Sequence, residues 1–275
     1  MTEPLNFTGL CKKLAVLAGP FFFERSLKID PESVNTDRCL LTWPRESLGA
    51  GAPAKYRDLL EELGFANDAI TALDQVQKRA QFLHFGLEGS PTAPKMKAYL
   101  EFEPDPVHNS LRYLAVKSAP GSSSEQFVIS EYRQHAYQHE GQRRLDGLSQ
   151  TIPECLQDLE SALAEIFRKA PERCDLLQVC DLGTNRVSFD WNIARAEVGQ
   201  EASAGLLSAA QAFFSLHHDI SVQTAALARI KVLNHIAIGL SHSEQPFLTL
   251  YHDAEEWGDI HEFTDHRLKR YGLAE

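Results

Sequence analysis

Several short segments place chemically useful side chains at a spacing of two. FFERSLKI (22–29) carries Glu24, Ser26 and Lys28, RCLLTW (38–43) carries Arg38 and Thr42, and KMKAYLEF (95–102) carries Lys95, Lys97, Tyr99 and Glu101. RVSFDWNI (186–193) adds Ser188, Asp190 and Asn192, and FLTLYHD (247–253) adds Thr249 and Tyr251. Residues two apart in a strand share a face, so each segment has a polar face backed by an apolar one, such as Met96, Ala98, Leu100 and Phe102. Lysines and arginines gathered on one surface suit a multiply charged anion such as a diphosphate. Carboxylates accept a proton or pair with a cation, and tyrosine rings shield a positive centre.

Elements that could bring these faces together are legible from period-2 alternation. Besides the segments above, it predicts strands at AQFLHFGLE (80–88), SLRYLAVKS (110–118), QFVISEY (126–132), DLLQVCDL (175–182) and HIAIGLS (235–241), ten in all. Helical spacing is predicted at 54–65, at 67–80 with Asn67 as N-cap, at 151–170 with Thr151 as cap, and at 204–218 and 221–232, followed by a polar helical tail from Ala254. Strands joined by short turns pair antiparallel, which excludes sheets that need a crossover after every strand. Ten antiparallel strands with amphipathic helices on one side close most economically into a barrel, because closure removes edges. The helices then cover the apolar outside, and the polar faces line a solvated lumen.

The hairpins read as diverged copies of a βααββ unit. FLHFGLEGSPTAPKMKAYLEF and HIAIGLSHSEQPFLTLYHD share a strand ending in Gly-Leu, a polar turn and a tyrosine in the return strand. CDLLQVCDLGTNRVSFDWNIA is a looser third copy, and no low-complexity linker divides the chain, so one domain over 1–275 is expected.

Composition narrows the function. The 275 residues carry a net charge of −11, which argues against nonspecific nucleic-acid binding. No apolar stretch is long enough to span a bilayer and the start has no signal-peptide pattern, so a cytoplasmic protein is expected. Five cysteines without a C-x-x-C pair indicate neither a disulfide framework nor a zinc ribbon. His135 and His139 have a spacing that could hold zinc on a helix, but a third ligand is missing and a surface pair is the simpler reading, as is a helix end for His217-His218. No metal site is expected.

The stretch FERSLKIDPESVNTDRCLLTW (23–43), the Gly-Leu-turn-Tyr hairpins and the closing IGLSHSEQPFLTLYHDAEEWGDI (238–260) resemble the cyanobactin prenyltransferases, peptide-modifying enzymes with the ABBA barrel fold. The resemblance implies transfer of a dimethylallyl or geranyl group from an isoprenoid diphosphate to a peptide side chain. It implies Glu24 as the catalytic carboxylate, and Lys28, Arg38, Lys95, Lys97, Tyr99 and Tyr251 around the diphosphate and the allylic cation. Trp257 joins the aromatic wall beside the acceptor. Mg²⁺ is implied only as a companion of the diphosphate, since the chain has no D-D-x-x-D cluster. Structural roles compete: Lys95 and Lys97 as solvated turn residues, Glu24 as an ion-pair partner of Lys28 or Arg38, the tyrosines as core residues.

Strand eight departs from the family pattern. Where further phosphate contacts are expected it offers Ser188, Asp190 and Asn192, which leaves anchoring from that quadrant open. An inward Asp190 suits a cationic acceptor, because a carboxylate pairs bidentately with a guanidinium, and an arginine side chain is the expected target. Alternatives are an aromatic metabolite or amino acid as acceptor, or a noncatalytic peptide-binding barrel.

Overall fold

In the computed structural model, the structure describes residues 7–17, 19–49, 51–88, 95–103, 111–118, 127–135, 175–184, 186–194, 200–213, 230–241, 244–261 and 263. Ten strands form one closed barrel in sequence order, β10 pairing back onto β1. They are β1 (Phe21–Asp30), β2 (Ser33–Pro44), β3 (Ala80–Glu88), β4 (Lys95–Phe102), β5 (Leu111–Ser118), β6 (Val128–His135), β7 (Asp175–Asp181), β8 (Val187–Asn192), β9 (Leu233–Leu240) and β10 (Pro246–Trp257). Every neighbouring pair is antiparallel.

The described helices are α1 (Phe7–Leu14), α2 (Ala52–Glu62), α3 (Asn67–Asp74) and α4 (Gln200–Phe213). Tyr56, Leu59 and Leu60 of α2 and Ala69, Ile70 and Leu73 of α3 are buried in one cluster with Leu41, Trp43, Leu83, Phe85, Ala98 and Leu100 of the strands. Full burial of each large apolar side chain contributes about 1.5–3 kcal/mol. The core therefore lies outside the barrel wall, and the lumen is left to polar groups. No helix among the described residues is long and apolar enough to cross a membrane.

Some expected boundaries move. Asn67 is the first residue of α3 and Ala66 occupies the cap position without a side-chain bond. The helical pattern to residue 80 ends earlier, since Ala80 opens β3. The tail from Ala254 is not helical at its start: β10 continues to Trp257, held by pairing with β1. Helix α1 was not among the expected helices, and the helices expected at 151–170 and 221–232 lie outside the described residues, apart from 230–232, which are not helical.

Candidate active site

Strand alternation directs one face of every strand inward, and the inward side chains fall into three layers. The first is cationic. Arg38 Nη1 donates to Glu88 Oε1 at 2.7 Å, Lys97 Nζ donates to Glu88 Oε2 at 2.6 Å, and Lys28 Nζ lies 3.9 Å from Glu88 Oε1. Across the lumen Lys117 Nζ donates to Asp181 Oδ1 at 2.9 Å, while Arg186 and Ser130 also donate to Asp181. Lys28 and Arg186 both stand over the Phe247 ring, at 5.2 and 5.5 Å. Exposed Lys95 stands at the rim of the same cavity, of about 340 Å³, which this layer and the next enclose.

Burial, eased by Glu88 and worsened by Arg38 and Lys117, holds the Lys97 ammonium well below its usual pKa. Burial and Arg186 lower Lys117 to about 8. Burial opposes ionisation of Glu88, but Lys97, Arg38 and Lys28 overcome it and hold its pKa well below the usual carboxylate range. These crowded cations would be stabilised by a polyanion that adds negative charge among them.

The second layer is a belt of tyrosines. Tyr99 and Tyr132 rings lie 5.9 Å apart edge to face, Tyr132 and Tyr113 lie 5.6 Å apart, and burial raises the pKa of all three well above the usual value. Tyr251 closes the belt from β10 and hydrogen-bonds Arg38. Gly86 makes room for it: a Cβ there would meet Tyr99 Cε2 at 3.3 Å and Lys97 Cβ at 3.5 Å. The rings, all un-ionised, present polarisable faces to whatever lies beside the cations.

The third layer holds carboxylates and histidines. Glu24 is 8% exposed and accepts a 2.7 Å hydrogen bond from Asn234 Nδ2. Burial raises its pKa despite His235 and Asn234. Two irregularities build this contact. The β1–β10 register slips between Phe23 and Arg25, beside Glu24, and the β9–β10 register slips between Tyr251 and His252, so Asn234 is an extra residue next to inward His235. His235 Nδ1 lies 3.3 Å from Asp190 Oδ1. Burial would strip its proton, but the Asp190 bond and the charges of Asp190 and Glu24 prevail and raise its pKa to about 9. On the facing wall His84 bridges Thr42 Oγ1 at 2.8 Å and Glu101 Oε2 at 3.1 Å, and Arg112 donates to Glu101 at 3.0 Å.

The structure thus brings together Glu24, Lys28, Arg38, Lys95, Lys97, Tyr99, Asp190 and Tyr251 around one lumen, and it removes Trp257 from that set. Asp253 has φ 51° and the β10 register slips there by one residue, so Trp257, which shares parity with Tyr251 in sequence, faces outward. There it pairs with Phe21 and packs 5.1 Å from Phe263 on the outer apolar cluster. Residues that the motif reading missed are Glu88, Lys117, Tyr132, Asp181, Arg186, His84 and His235. Lys117 shares parity with Tyr113, and Arg186 immediately precedes β8, so the quadrant left open by Ser188 has a cation after all.

Among the described residues no group of three His, Cys, Asp or Glu side chains could hold a metal ion. His135 ends β6, not a helix, and His139 lies outside the described residues.

No protein-family model matches the chain, and no curated protein matches its sequence. Solved structures do resemble it. The 5-dimethylallyltryptophan synthase from Streptomyces coelicolor aligns over 84% of this chain and 80% of its own, at 16% identity and a TM-score of 0.50. AnaPT from Neosartorya fischeri aligns over 84% and 77%, at 13% identity and a TM-score of 0.57. The NotF complex with brevianamide F and DMSPP aligns over 84% and 79%, at 11% identity and 0.52. At such identities the likeness is one of fold, and the fold is the ten-stranded antiparallel prenyltransferase barrel.

Proposed function

We propose that this protein transfers a dimethylallyl or geranyl group from an isoprenoid diphosphate to a side chain of a peptide, with an arginine guanidino nitrogen as the favoured acceptor. The observation that carries the reading is the order of the layers: fixed cations, a tyrosine belt, then a buried carboxylate, within one barrel. Prenyltransferase structures of the same fold support it, one of them named as a dimethylallyltryptophan synthase and another holding DMSPP with brevianamide F.

Lys28, Arg38, Lys97, Lys117 and Arg186 bind the diphosphate and stabilise the charge that grows on it as the allylic C–O bond breaks and the electron pair leaves with the phosphate. Tyr99, Tyr132 and Tyr251 face the allylic carbocation and keep water from it. The acceptor nitrogen attacks the allylic carbon from the third layer, and Glu24 takes its proton. Burial suits Glu24 to that task, since it raises the carboxylate's basicity. Asp190 pairs with a cationic acceptor, and the protonated imidazole of His235 supports this because it is itself a planar cation, held by Asp190 and further favoured by the charge of Glu24.

A protein-held Mg²⁺ fits poorly. The two carboxylates in the cationic layer, Glu88 and Asp181, are each already engaged by at least two cations, so a magnesium ion would enter as part of the substrate. A second reading, an aromatic acceptor, is favoured by a different observation: His235 and Arg112 already compensate Asp190 and Glu101. The test is mass spectrometry of arginine, tyrosine and tryptophan peptides incubated with each donor. Added isoprene mass on the arginine peptide alone supports the first reading, mass on the tryptophan or tyrosine peptide alone supports the second, and no product from any pair refutes prenyl transfer.

A further inference from the structure

The charge of the cationic layer is partly compensated within the protein before any substrate arrives: Lys28, Arg38, Lys97, Lys117 and Arg186 face the two carboxylates Glu88 and Asp181. Glu88, two residues beyond Gly86 at the end of β3, places both carboxylate oxygens among three cations: Oε1 against Arg38 at 2.7 Å and Lys28 at 3.9 Å, Oε2 against Lys97 at 2.6 Å. Those are three of the cations assigned to the donor diphosphate. A planar anion with two oxygens shared by an arginine and two lysines has the contact pattern of a phosphate group.

The opposite carboxylate behaves differently. Asp181 has a side chain that is 0% exposed and is held by Ser130 as well as by Lys117 and Arg186, so it belongs to the barrel wall. The Glu88 side chain is 17% exposed, lines the cavity and, among the described contacts, accepts hydrogen bonds only from the cationic side chains of Arg38 and Lys97. Its longer side chain can turn away without breaking the wall.

We infer that Glu88 is a resident counter-anion that stands in for the diphosphate, yields its three cations to the incoming donor, and reclaims them as inorganic diphosphate departs. The inference rests on the prenyl-transfer reading and extends it to product release. An incoming diphosphate must break the Glu88 pairs before it makes its own, so its net affinity is lower than the cations alone would give. That competition keeps the product from blocking the next turnover.

The full chain is titrated calorimetrically with inorganic diphosphate as wild type, Glu88→Gln and Glu88→Asp. Glu88→Gln keeps the side-chain size and removes the competing charge, and binding is expected to tighten ~10-fold or more, the size of one charge-assisted hydrogen bond. Product inhibition by inorganic diphosphate is expected to strengthen by a similar factor, and Glu88→Asp, whose carboxylate is withdrawn by one methylene, is expected between the two. Equal or weaker binding by Glu88→Gln overturns the inference, because it makes Glu88 a positioning residue for Arg38 and Lys97. If that variant does not fold, tighter binding by Glu88→Asp supports the inference and equal or weaker binding overturns it. A wild-type chain that binds no diphosphate overturns the prenyl-transfer reading itself, and this inference falls with it.

Discussion

Replacing Glu24 by Gln removes one proton acceptor and leaves most of its surroundings in place. The Gln side-chain oxygen can still accept the 2.7 Å hydrogen bond from Asn234, so the β9 irregularity keeps its partner. What is lost is the carboxylate's charge and basicity. A positioned general base contributes roughly 10²–10⁴-fold in rate, or about 3–5.5 kcal/mol at about 1.36 kcal/mol per decade. The structure argues for the upper half of that range. Glu24 is only 8% exposed, which limits rescue by bulk water, and the carboxylate beside it, Asp190, is engaged with His235. The assay is single-turnover transfer with saturating donor and acceptor, followed by mass spectrometry across pH. Because burial raises the Glu24 pKa above the ordinary 4.5, the wild-type rate should climb with pH across a window that begins above 4.5, as the carboxylate ionises. The Gln variant should be slow and flat over the same window. A variant that keeps its rate within about threefold, or that retains the rising limb, refutes the role of Glu24 as base.

Three further changes separate the layers. Lys117→Gln should raise the donor KM by ~10–100-fold through loss of a charged hydrogen bond, and a change below twofold in steady-state kinetics would reduce Lys117 to a partner of Asp181. Tyr132→Ala should divert the allylic cation to water and increase free prenyl alcohol relative to peptide product, while Tyr132→Phe, which keeps the ring face, should not; equal partition in both variants would remove Tyr132 from the shield. Because His235 has a folded pKa of about 9 against an ordinary 6.5, its contribution to stability is complete below 6.5 and is lost as pH rises through about 9. Asp190→Asn should therefore flatten the fall in urea midpoint between those pH values, and an unchanged fall would mean that Asp190 does not hold the imidazolium.

The barrel was readable because a period of two is a local property. Each strand states which residues share a face, and turns short enough for hairpins force antiparallel pairing. Alternation fails wherever a strand carries an extra residue. Trp257 shows the cost: six residues after inward Tyr251 it ought to face inward, yet the irregularity at Asp253, with φ 51°, turns it onto Phe21 and Phe263. Nothing in YHDAEEW marks that position, because the strain is absorbed by an Asp and is stabilised from the segment that leads into β9, where Asp253 Oδ1 accepts from the backbone of Lys231 and Val232.

The residues missed at the site were missed for a different reason. Glu88, Asp181 and His235 take their meaning from partners on other strands, and their charge states follow from those partners and not from the side chain alone. The repeat nevertheless held a usable signal. Both Gly-Leu hairpins place a histidine opposite the inward tyrosine of the return strand, His84 opposite Tyr99 and His235 opposite Tyr251. Each histidine is also tied to a carboxylate of a different strand, Glu101 and Asp190. The two copies therefore carry the boundary between the tyrosine belt and the carboxylate–histidine layer at two points of the barrel. Glu24 stands beside the second of them: the first copy carries its extra residue, Gln81, three positions ahead of His84, whereas Asn234 lies directly beside His235 and bonds Glu24. On the prenyl-transfer reading, this departure from repeat symmetry sets the proposed base beside one of the two histidines and thereby distinguishes one side of the lumen from the other.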